Sequence, residues 1–179
     1  MFNVFKAKAE GVSSEVHCFN TKVEAMNFIV QILKKENVRN APRQYAVWAD
    51  CPFLHGFDKN VIAENVPGLK FEVTRKLAAD AKVGISQADW GLANTGTLVQ
   101  DSTAVEQRLV SILPEIHIAV LTRGRLLPDL PALFPKLDPR KAAYIAFITG
   151  PSRTADIERV LTIGVHGPGR LIIVCVDEQ

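Results

Sequence analysis

Two short runs near the carboxyl end of the chain gather more hydrogen-bonding groups than a connection needs. Thr149-Gly150-Pro151-Ser152-Arg153-Thr154, closed by Asp156, sets three hydroxyls, a guanidinium fork and a carboxylate within eight positions. Gly150 permits an unusual backbone angle, and Pro151 suits the first turn of a helix, where its missing N–H would have no partner anyway. Read so, the run predicts a helix start whose unpaired N–H groups and Arg153 accept a carboxylate or phosphate. Asp156 would orient the Arg or accept from a ligand hydroxyl. No Gly-Lys-Ser/Thr follows, so this is not a P-loop. The bland alternative is a capped helix start with a solvated Arg. The second run, Gly164-Val165-His166-Gly167-Pro168-Gly169, presents His166 among glycines. Alone it reads as a Gly-Pro turn. Both runs follow strand-like segments, and ligands of open α/β sheets gather at carboxyl strand ends, so Arg153 and His166 are expected to face one pocket.

A third group, Asp89, Asn94 and Thr95-Gly96-Thr97, places a carboxylate, an amide and two hydroxyls around a glycine that allows close approach. A glycine inside a strand more often marks a bulge than a site. His17, His55 and His117 stand in strand or turn contexts without a neighbouring nucleophile in the sequence, and Trp48 and Trp90 suit a core or a pocket wall. No Gly-x-Ser-x-Gly occurs, so no hydrolase triad is signalled. Cys18, Cys51 and Cys175 are scattered singly, with no Cys-x-x-Cys pair to hold a metal or an iron–sulfur cluster. Cys18 and Cys175 lie in strand-like runs and read as small buried thiols. Cys51 precedes Pro52 in a turn, where a thiol can be exposed.

The elements that must position these groups alternate between β and α patterns. Residues 14–19, 44–50, 69–74, 115–122, 142–149, 159–165 and 170–176 read as strands, as does the stretch around Thr95-Gly96-Thr97. The clearest helix follows Thr21, which forms a capping box with Glu24 and leads Val23, Met26, Val30 and Leu33 at helical spacing. Weaker helices are expected around 58–65, after Arg75 and over 102–113. The pattern predicts an α/β fold: an open, mostly parallel or mixed sheet with flanking helices. Only ten residues separate the last-but-one pair of strands, short for a parallel crossover, which favours a mixed sheet.

The chain has 179 residues, 47% hydrophobic, which suits one domain over 1–179 with a full core, residues 1–13 forming an appended helix at most. A net charge of +2 without a basic stripe argues against nucleic acid. No apolar run approaches the ~20 residues of a membrane span. Lysines interrupt the apolar residues of the first twelve positions, so no secretory signal is read there. A cytoplasmic protein is expected.

Together, Gly84 to Val99, Arg108 to Val120, Phe147 to Pro168 and the closing strand resemble the LUD-domain proteins, specifically the lactate-utilisation protein C family. The resemblance is firm from Val83 to Cys175 and looser back to residue 14; the amino-terminal segment looks shorter than in many relatives. It implies a fold similar to the NagB/RpiA/CoA-transferase group. It also implies a non-redox accessory subunit of a cytoplasmic L-lactate-to-pyruvate system, with iron–sulfur clusters on two partner subunits and no cofactor in this chain. The site residues it implies are Thr149, Gly150, Ser152, Arg153, Thr154, Asp156, His166 and Gly167, as an anion- or partner-binding site. Asp89 and Thr95-Gly96-Thr97 match an earlier motif. One departure stands out: relatives usually read Ala-Glu-Thr-Gly-Thr, whereas Asn94 follows Ala93 here. An amide cannot serve as carboxylate nucleophile or general base. A binding subunit is therefore favoured over a self-sufficient enzyme. Two other readings stay open: a stand-alone isomerase or acyl/CoA transferase for a phosphorylated or carboxylated substrate, and a regulatory binding protein with a vestigial pocket.

Overall fold

The computed structural model describes residues 1–138, 140–155, 161–164 and 166–177. Helix α1 (Phe2–Gly11) leads into β1 (Ser14–Phe19) and α2 (Lys22–Lys35). Then come β2 (Tyr45–Trp48), α3 (Lys59–Asn65), β3 (Leu69–Lys70), α4 (Arg75–Ala79) and β4 (Ala81–Ala88). A hairpin of β5 (Trp90–Leu92) and β6 (Thr97–Asp101) precedes α5 (Val105–Ile112), β7 (Ile116–Thr122), β8 (Leu126–Leu127) and α6 (Leu130–Leu133). The chain closes with β9 (Ile145–Ile148), β10 (Arg153–Ala155), β11 (Leu161–Ile163) and β12 (Arg170–Val176).

Six strands form the main sheet in the order β1-β12-β7-β4-β2-β3, and every pair in it is parallel. The antiparallel pairs lie apart, in a four-stranded sheet ordered β8-β5-β6-β9, whose β5–β8 pair is parallel, and in the β10–β11 ribbon. The expected α/β class with flanking helices holds. The mixing falls in the small sheet rather than within the large one.

Strand periodicity sorts the core onto two faces. Ile118, Val120, Ile172, Val174 and Val176 pack under α2 with Ala25, Ile29 and Leu33. Their neighbours Ala119, Leu121, Leu171, Ile173 and Cys175 face the other way, onto Phe5 and Ala9 of α1 and Leu98 of the small sheet. A parallel sheet covered on both faces requires such unbroken apolar strands. The capping box of α2 forms as read: Glu24 N–H donates to Thr21 Oγ1 at 3.1 Å, and Thr21 N–H to the Glu24 carboxylate at 3.2 Å. Helix α1 is part of the core, since Phe5 and Ala9 are wholly buried.

Candidate functional site

The expected helix start at Gly150-Pro151 does not form. Arg153–Ala155 is a strand, paired antiparallel with Leu161–Ile163. The partners that draw it into a strand are distant in sequence: Ser152 N–H donates to Pro168 O at 2.8 Å, and Gly164 N–H to Ser152 O at 3.0 Å. Thr154 sits in the same ribbon opposite Thr162, and Asp156 lies outside the described residues.

The two runs do meet, but at the amino ends of the parallel strands. Gly169 N–H donates to Glu115 O, just before β7, at 2.9 Å. A Cβ on Gly150 would stand 2.3 Å from Val12 O, just before β1. The guanidinium of Arg153 donates to Val12 O and, at 3.2 Å, to Ser13 Oγ, in the turn that ends α1. A cation there complements the carbonyl end of a helix. Gly96, at φ +67°, packs on the same helix: a Cβ would lie 2.3 Å from Ala9 N. Thr97 Oγ1 joins Thr95 Oγ1 and Thr149 Oγ1, each at 2.8 Å. Thus Thr95, Gly96, Thr97, Thr149, Gly150 and Arg153 form one cradle around the end of α1. His166 and Asn94 are exposed beside it, and Gly167 closes over Ser152.

Beneath the cradle lies a buried polar chain that local sequence does not reveal. His117 Nε2 is 2.8 Å from Ser86 Oγ, so this His has a hydroxyl neighbour after all. Ser86 Oγ donates to Gln100 Oε1 at 2.6 Å, and Gln100 Nε2 donates to Ser102 Oγ and to Gln107 O. The Gln107 carbonyl fixes the amide orientation, because only the NH2 group can donate to it. Ser86 therefore spends its proton on Gln100, and His117 must donate from Nε2. That is the reverse of a base activating a serine. Burial alone pushes the imidazole down to about 4. Nδ1 has no partner among the described residues, and the adjoining cavity of about 30 Å³ has room for little more than a water.

A charged cleft lies at the opposite, carboxyl ends. Its volume is about 370 Å³, and it is walled by Pro52 and Phe53 after β2, Gln87 to Trp90 from the end of β4 to the start of β5, Thr122 and Arg125 at and after the end of β7, Val176 and Asp177 at the end of β12, and Lys22 at the start of α2. The strand order reverses between β2 and β4, whose ends contribute to this cleft, and open α/β sheets bind ligands at such points. Asp89 lines it, as does Trp90, which suited a core or a pocket wall. The concave surroundings desolvate its carboxyl and raise its pKa, with Asp101 adding repulsion and Arg125 and the Asp101 N–H opposing. Its side chain keeps solvent contact. Arg125 stacks 4.8 Å over the Trp90 ring, and Asp177 pairs with Arg123 at 3.0 Å. The sequence reading passed over Lys22, Arg125 and Asp177; each is a charged residue a few positions beyond a different strand, and that shared offset was the available signal. Cys51 is buried, not exposed, whereas Cys18 is exposed, not buried.

A closed-over cradle at one end of a parallel sheet and a charged cleft at the other define an α/β protein of the carboxyl-end-cleft type. A family model for the LUD domain matches residues 2–176, and the chain belongs to that family. Lactate utilization protein C of Halalkalibacterium halodurans is 30% identical over 190 aligned positions, covering 100% of this chain and 80% of the relative. Lactate utilization protein C 1 of Bacillus mycoides is 37% identical over 110 positions, 58% of this chain and 47% of the relative. Escherichia coli YkgG is 36% identical over 107 positions, 56% of this chain and 46% of its own length. The matches to these last two thus span about half of each relative. A crystal structure of a DUF162 family protein from Deinococcus radiodurans shares the fold, with a TM-score of 0.66 at 17% identity over 98% of this chain and 95% of that one.

Proposed function

We infer that the chain is a non-redox subunit of a cytoplasmic lactate-utilisation system, holding a small hydroxycarboxylate in its carboxyl-end cleft. Two iron–sulfur partner proteins carry the electrons. The observation that carries this reading is the 30% identity to a lactate utilization protein C over the whole of this chain. The chemistry of the cleft supports the ligand class. Lys22 and Arg125 attract a carboxylate, and Asp89 and Gln87 offer acceptors to a neighbouring hydroxyl. A raised carboxylate pKa in a cleft is a frequent mark of function. The solitary spacing of Cys18, Cys51 and Cys175 supports placing iron–sulfur centres elsewhere. No helix among the described residues is long and apolar enough to cross a membrane.

Co-expression with the two iron–sulfur proteins of a lactate-utilisation system tests the assignment. A three-part complex should survive gel filtration and oxidise L-lactate, and this chain alone should not. If no combination co-elutes and the partners oxidise lactate equally well without this chain, the assignment fails.

A further inference from the structure

Cys18 and Cys175 are separated by most of the sequence, yet they stand directly opposite each other in the parallel register of β1 and β12. Each thiol is the strongest influence on the other's ionisation. One is open to solvent and the other is wholly buried. Neighbouring strands lie about 4.7–4.9 Å apart, inside the ~4.4–6.8 Å Cα range of disulfides. Strand β1 is at the edge of the sheet, with β12 as its strand neighbour. Lys6 and Arg123 add positive charge at Cys18, with Asp177 opposing. The neighbouring Cys175 thiol, then these cations, hold the Cys18 thiol below its ordinary range, while the same pairing and burial push Cys175 up. The exposed sulfur is the one that ionises.

We propose that Cys18 and Cys175 form a reversible, peroxide-reactive dithiol, with Cys18 as the attacking and Cys175 as the resolving thiol. Cys18 Sγ attacks one oxygen of hydrogen peroxide; the O–O bond breaks, Cys18 becomes a sulfenic acid, and hydroxide leaves to take up a proton. Cys175 Sγ then attacks Cys18 Sγ; the S–O bond breaks, the S–S bond forms, and the second water leaves with the Cys175 proton. Two thiols and one peroxide give one disulfide and two waters, and two electrons pass from sulfur to oxygen. The bond would form at an exposed sulfur on the edge strand, where small thiols can reach and reduce it. It closes beside Val176 and Asp177, which line the cleft. Cys51 is the internal control: it is buried at 5% exposure, and burial raises its thiol, so it should stay reduced.

The test uses the full chain, reduced and then exposed to stoichiometric hydrogen peroxide, followed by alkylation, intact mass and peptide mapping. The wild type should lose two hydrogens, yield a linked Cys18–Cys175 peptide with Cys51 alkylated, and return to its reduced mass with dithiothreitol. Cys175→Ser should leave a sulfenic acid on Cys18 that dimedone captures, and Cys18→Ser should leave Cys175 unreacted. The wild-type mapping stands even where a variant folds poorly. Cys18 and Cys175 still separately alkylatable after peroxide, or Cys51 oxidised as readily, would overturn the proposal.

Discussion

The amino and carboxyl ends of the main sheet are both rich in polar side chains, and they use them in opposite ways. At the amino end Arg153, Thr149, Thr97 and Thr95 are turned onto the chain itself, against Val12, Ser13 and one another. At the carboxyl end Lys22, Gln87, Asp89 and Arg125 surround open volume. The difference shows that a dense run of glycines and hydroxyls identifies a tight backbone approach, and that approach can be to a ligand or to another part of the chain. Only an account of partners separates the two. Where the donors of a motif are already matched, the motif is a brace.

Substitutions at the two ends should therefore break different things. The largest effect is expected from Gly96→Val, which adds left-handed backbone strain to a collision with Ala9 and should cost about 4 kcal/mol in chemical denaturation. Next is the acid response of His117, whose folded pKa of about 4 lies below its ordinary 6.5. The unfolded chain takes up the proton first, so stability is complete above pH 6.5 and falls as the pH drops toward 4. The loss should reach about 3 kcal/mol. His117→Leu should flatten denaturation midpoints across that window, and an unchanged slope would show that His117 does not cause it. Arg153→Ala removes exposed hydrogen bonds to the end of α1 and should cost only about 1 kcal/mol, without altering ligand binding in the cleft. The smallest stability change belongs to Asp89→Asn. Its carboxyl is raised in the fold, so its charge opposes folding as the pH climbs through its range, and the amide should leave the neutral-pH melting temperature equal or slightly higher. The same change should weaken hydroxycarboxylate binding.

What the sequence made legible was local. The α2 capping box lies within four consecutive residues, the strand at 14–19 announces itself by alternation, and that at 170–176 by an unbroken β-prone run. What it concealed depends on partners far along the chain. Arg153 is drawn into a strand by residues 161–163, so a proline-led helix start gives way to tertiary pairing. The exposure of Cys18 follows from β1 being the sheet edge, which only the strand order decides. His117 finds Ser86 across 31 residues because β4 and β7 pair in parallel. Of the candidate site, Asp89 was legible as a carboxylate among small residues and Trp90 as a wall residue; the rest of the cleft is assembled from residues at the ends of separate strands.

The central claim is that the ligand occupies the carboxyl-end cleft and that the motif loops brace α1. Backbone amide shifts recorded while L-lactate is titrated into the chain test it directly. The account predicts that the signals to move are those of Lys22, Gln87, Asp89, Trp90 and Arg125, with residues 149–153 and His166 unmoved. Saturable shifts confined to residues 149–153 and His166 would contradict it.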